Sequence, residues 1–210
     1  LNTDWGDYGH RNPLGVSLHG YAHGAAHAWN GAAVDDQTFT ETFASQVFGE
    51  SSGHLAAALR TLGKTNELVS PDHMCLYHAL VEPLRPPHTR FISKFRRVSE
   101  IIHYPEMYPN RIDGADPEAL KRVISDLESA EIWPKLPANL REFERKAIAD
   151  CQLAAGMDVI AARRALLAQN LRSGKAVPKS KLTAWARDMQ ELIAEFQNNW
   201  RDRNRPGLLR

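Results

Sequence analysis

Cysteine is scarce in this chain. The only two, Cys75 and Cys151, lie far apart, and neither sits in a CxxC or other metal-binding spacing. A disulfide framework or a thiolate metal centre is therefore not indicated, and two buried free thiols are expected. Long apolar runs are missing too. None approaches the ~18 residues that a membrane span requires. Net charge is almost absent: 26 basic and 25 acidic side chains leave +1. Such a balance gives no reason to expect nucleic acid or an anionic membrane as a partner. The basic stretches "KFRRVSE" and "RDRNRPGLLR" carry interleaved acids or end the chain, and read as solvated helix faces and a tail. Internal repeats, low-complexity tracts and cofactor-binding motifs are likewise lacking, so no cofactor is expected.

What remains is ordinary for a folded domain. Apolar residues make up 43% and charged residues 24% of 210 residues, enough for a substantial core. Strand signals are few. "LNTDWG" is the one convincing candidate, and alternation would set Thr3, Trp5 and Asp7 on one side of it. The chain opens there without an initiator Met, in what reads as mid-element, and the natural N-terminus is expected upstream. Localisation is therefore not legible.

Helix signals fill the rest. "SLHGYAHGAAHAWN" reads as a small-residue helix with Ser17 as N-cap. Asp36 is expected to cap a helix carrying Phe39, Phe43 and Val47. "SSGHLAAALRTLG" reads as another, closed by Gly63. Ser70-Pro71 and Asp116-Pro117 each pair an N-cap with proline at the first helical position. A further helix is expected over "RFISKFRRVSEII", and the one from Asp116 is expected to run to about Ile132. Two long amphipathic stretches then follow, from about Ala138 to Leu171 and through Leu182 to Trp200. The turn "RSGKAVP" joins them into an antiparallel hairpin. The expected fold class is mainly α, in two unlike pieces. A β–loop–α fragment spans residues 1–30, and an all-α domain spans 31–210.

Candidate chemistry concentrates near the start. His19, His23 and His27 recur every four residues and stack on one helix face. Adjacent pairs have metal-chelating spacing, but the outer two lie about 12 Å apart along the axis, too far to share one ion. Ordinary packed or half-exposed histidines are the expected outcome, with no metal site. No Ser or Cys is marked as a nucleophile by a neighbouring base. Trp5 and Asp7 make a different pair: an aromatic ring for the apolar face of a sugar and a carboxylate for its hydroxyls, from one side of a strand end. The competing reading puts Trp5 in the core and lets Asp7 cap the loop.

The stretch "LNTDWGDYGHRNPLGVSLHGYAHGAAHAWN" resembles the end of the catalytic barrel in glycoside hydrolase family 20-like enzymes, the β-N-acetylhexosaminidase group. The shared pattern is a last strand ending Trp-Gly-acid, a loop, and a small-residue helix ending Ala-Trp-Asn. The tail "FQNNWRDRNRPGLL" is similar to the Trp-x-x-Arg-Asn-Arg-Pro-Gly ending of longer bacterial members with a helical C-terminal domain. The match is most specific over residues 1–30, weaker in the tail and only general between them. It implies that residues 1–30 are the last strand and helix of a truncated (β/α)₈ barrel, and that the rest of that barrel is the chain's structural partner. By the resemblance, Trp5 is part of the aromatic wall of the −1 subsite and Asp7 binds hydroxyls of an N-acetylglucosamine-type sugar. His10 is assigned to the same pocket by proximity. Asp7 stands where the family usually has Glu, one methylene longer, so which hydroxyl it reaches stays open. Family members hydrolyse with the help of the substrate's own acetamido oxygen, oriented by an Asp-Glu pair on an earlier strand. No such pair is present here, so this chain by itself is expected to be inactive. Two other readings remain: a helical interaction or assembly domain without catalysis, and a metal-binding helix at the histidine row.

Overall fold

The computed structural model describes residues 13–69, 76, 80, 115–129 and 132–203. The protein is mainly α. Among the described residues there are six α-helices and no strand: α1 (Leu14–Asn30), α2 (Asp36–Phe48), α3 (His54–Val69), α4 (Pro117–Glu128), α5 (Glu142–Arg172) and α6 (Lys179–Arg203). The expected strand and the helices expected after Ser70 and over "RFISKFRRVSEII" lie outside the described residues. Two compact units are formed: Leu1–Lys64 with Asp126–Gly156 and Leu192–Arg210, and Thr65–Ser125 with Met157–Glu191.

In the first unit, α1 begins three residues before Ser17. Pro13 holds the N-cap position in extended backbone, without a side-chain cap bond. The cap comes from elsewhere in the chain. The Gly15 N–H donates to Asp150 Oδ2 on α5 at 2.8 Å, filling one of the orphan donors of the first turn with a buried carboxylate. Asn199 Nδ2 on α6 donates to the other oxygen of Asp150 at 2.9 Å. Gly15 is required by this approach, since a Cβ there would lie 2.5 Å from the Ala147 carbonyl oxygen and 2.7 Å from Asp150 Oδ2. Cys151, beside it, is buried with its thiol 3.8 Å from the Gly15 carbonyl. Burial, and then the charge of Asp150, push that thiol up to about 12, which leaves it inert as a nucleophile.

Local signals explain the other boundaries. Asp35, not Asp36, caps α2, accepting from the Thr38 N–H at 2.8 Å. Gly49, at φ 64, ends α2 in left-handed backbone, its N–H bonded to the Ser45 carbonyl and the Glu50 N–H to the Ala44 carbonyl. Glu50 then turns its carboxylate onto the start of α3, accepting from the N–H groups of Ser52 and Leu55. Burial alone would raise this carboxyl, but the Ser52 hydroxyl and those two N–H groups outweigh it and hold it below the usual range. Glu144 reaches back to the Arg141 N–H at 2.7 Å, the reciprocal half of a capping box at the head of α5.

Helix α3 does not stop at Gly63. Its buried stripe of Leu55, Ala58, Leu62 and Thr65 continues past that glycine, and burial overrides the ~1 kcal/mol glycine cost. Helix α4 does begin at Asp116-Pro117, with Asp116 accepting from Glu118 N–H, but it ends at Glu128 rather than near Ile132. The buried stripe Ala119, Leu120, Val123 and Leu127 ends there, and the Ile132 N–H donates to the Ser129 carbonyl beyond it.

The core of the first unit gathers Ala44, Phe48, Leu55, Ala56, Leu140, Ala147 and Ile148, with Leu18 of α1 packed against it. In the second unit the buried residues of α5 run Met157, Val159, Ile160, Ala161, Ala162, Ala165 and Ala168. So many alanines let neighbouring backbones approach closely. The α5–α6 hairpin is antiparallel within each unit. In the first, Lys146 bonds to Asp202 and Gly156 approaches Leu192; in the second, Trp185 Nε1 donates to the Ile160 carbonyl and Arg163 pairs with Asp188. Thr65 donates to buried Asp158, and Gln169 donates to the Ala115 carbonyl, tying α3 and α4 to α5.

Two glycine substitutions should move stability in opposite directions. Gly15→Ala should destabilise by roughly 1–3 kcal/mol or more, because backbone must shift to admit the methyl. Gly63→Ala, with open space around its Cβ, should stabilise by about 0.5–1 kcal/mol. Urea melts of the two variants beside the parent chain check both signs.

Candidate functional site

The three residues assigned to a sugar pocket, Trp5, Asp7 and His10, lie outside the described residues. The described candidate site is the histidine row that follows them on α1. Spacing of four places His19, His23 and His27 on one face. The short connection Gly31–Asp35 turns the chain so that the start of α2 lies beside the end of α1. The two helices interleave their rings. His19 meets Phe39 and Phe43 edge-on, with centroids 5.4 and 5.2 Å away, and His23 meets Phe39 at 5.0 Å. His23 and His27 are the closest pair of the row, at 4.5 Å.

The histidines divide by their polar partners. His19 Nε2 lies 3.0 Å from Thr40 Oγ1. That hydroxyl donates to the Asp36 carbonyl at 2.8 Å, so its oxygen is left to accept, and His19 carries its proton on Nε2. Burial, with a smaller push from His23, lowers the pKa of His19 below its ordinary 6.5, against a weaker pull from Asp36. His19 is therefore a packed, neutral histidine. His23 Nε2 instead lies 2.8 Å from Asp36 Oδ1. The Asp36 side chain is 83% exposed, so this pair adds little to stability.

His23, His27 and Asp36 form the one group of three or more potential metal ligands found among the described residues, with one ligand atom from each within 4.8 Å of the others. Neighbours one turn apart come together and His19 takes a different partner, as the helical rise requires. Asp36 is the member that sequence reasoning assigned otherwise, as a cap. The adjacent pair Asp35-Asp36 held the signal: one carboxylate caps α2, which releases the next to face α1.

A pH dependence follows from His19. Its folded pKa lies below the unfolded value, so between the two values the unfolded chain binds the extra proton. Stability is full above about pH 6.5 and declines as pH falls below it. Urea midpoints should be lower at about pH 5.5 than at about pH 7.5, and His19→Gln should narrow that gap.

No family model matches the chain, and no match was found among curated proteins or solved structures.

Proposed function

We propose that this chain is the C-terminal part of a glycoside hydrolase acting on N-acetylhexosaminides. Residues 1–30 serve as the last strand and helix of its barrel, and the helical region packs behind them. Trp5 forms part of the sugar-binding wall, Asp7 accepts hydroxyl hydrogen bonds, and His10 lines the same pocket. The carrying observation is the continuous pattern of Trp-Gly-acid, loop, and small-residue helix ending Ala-Trp-Asn.

The burial of α1 supports this reading. The helix is rich in apolar and small residues, yet only Gly15 of its 17 residues is buried, and Trp29 is 92% exposed. A helix apolar on most sides is ordinarily covered by other elements. In a barrel those would be the neighbouring strand and helix. The chemistry is substrate-assisted retaining hydrolysis, with the orienting and proton-donating acids supplied by an earlier strand. This chain supplies subsite wall and support, and by itself it performs no hydrolysis.

A helical assembly domain is the second reading. Phe143, Leu171 and Ile193 favour it, each about half exposed on the long helices. Light scattering on the purified chain tests it, and a strict monomer at high concentration counts against it.

The first reading is tested on the whole reading frame that contains this chain. It should release p-nitrophenol from p-nitrophenyl N-acetylglucosaminide, and the 210-residue chain should not. Trp5→Ala in the whole protein should lower kcat/KM on the order of 10–100-fold, with partial recovery in Trp5→Phe. Unchanged kinetics in both Trp5→Ala and Asp7→Ala would overturn the site assignment.

A further inference from the structure

We propose that His23, His27 and Asp36 bind one first-row divalent cation of the zinc type, joining the end of α1 to the start of α2. This does not rest on the glycosidase reading, since none of the three belongs to the sugar pocket assigned there.

The donor set defines the class of ion. Two imidazole nitrogens and one carboxylate oxygen suit zinc, nickel or copper, and suit magnesium or calcium poorly, since those ions take oxygen ligands. The geometry is near that of a loaded site. Ligand atoms around a tetrahedral ion at ~2.0–2.1 Å lie roughly 3.3 Å apart. Here His23 Nε2 and Asp36 Oδ1 are already 2.8 Å apart, and all three ligand atoms fall within 4.8 Å. The two members that would move to close the remaining gap, His27 and Asp36, are both exposed.

The surroundings hold the half-buried member in place. The His23 ring is stacked 6.1 Å from His19, which is itself bonded to Thr40, and it meets Phe39 edge-on. His23 is thus presented by a packed layer, while His27 one turn on and Asp36 at the first position of α2 close from the solvent side. This is the arrangement of a site with some positions left to water: three protein ligands on one side and open solvent on the other. Coordination through His23 Nε2 places the ring proton on Nδ1, so the metal takes over the contact that Nε2 now makes with Asp36.

The test uses the whole chain without an affinity tag. Calorimetric titration with zinc chloride should show one equivalent bound, and zinc should raise Tm. His27→Gln and Asp36→Asn change exposed positions, so both variants should fold, and each should weaken zinc binding at least 10-fold. His54→Gln, on α3, should bind as the parent does. A second measurement needs no variant: substoichiometric nickel should broaden the imidazole signals of His23 and His27 before those of the other histidines. Absence of zinc binding, or binding that survives both His27→Gln and Asp36→Asn, would overturn the proposal, as would nickel broadening that begins at other histidines.

Discussion

The first compact unit depends on one buried carboxylate. Asp150 holds the backbone of Gly15 with one oxygen and the side chain of Asn199 with the other, so a single side chain on α5 fastens the head of α1 and the last turns of α6. A buried charge is costly unless it is hydrogen-bonded, and these two donors, one of them at a positive helix terminus, offset that cost. The absence of a side chain at Gly15 lets the helices approach closely enough for it. Around this contact the apolar core of α1, α2, α3 and α5 closes, and Cys151 is sealed beneath it.

The α1–α2 pair adds a second principle. Aromatic and imidazole rings alternate between the helices, so the same packed layer that keeps His19 neutral presents His23 and His27 toward Asp36. One face of a single helix thus carries a structural histidine and two available ligands. Burial and the nearest oxygen decide which is which: a threonine hydroxyl for His19, a carboxylate for His23.

Much of this architecture was legible in the sequence, because helix periodicity is a local signal. The α5–α6 hairpin follows from two apolar stripes and the turn between them, and the head of α4 follows from Asp116-Pro117. The errors came where distant residues override local ones. Ser17 looked like the cap of α1 because no local rule announces that Asp150 fills that role from 135 positions away. Gly63 looked like a helix end because its propensity is read locally, whereas the buried stripe running past it is a tertiary fact. For the histidine row, helix rise allows only neighbours to come together, as His23 and His27 do. It could not supply Asp36, because that contact depends on how the chain turns between two helices.

The Asp150 contact also has a temporal side. Its three participants, Gly15, Asp150 and Asn199, are far apart in sequence and follow one another in that order along the chain. A ribosome releases them in that order, at roughly 5–20 residues per second. Until the segment carrying Asn199 has emerged, then, Asp150 lacks one of its two donors. In that interval a carboxylate destined for burial has only the Gly15 N–H to answer it, so the contact is completed last by the helix made last.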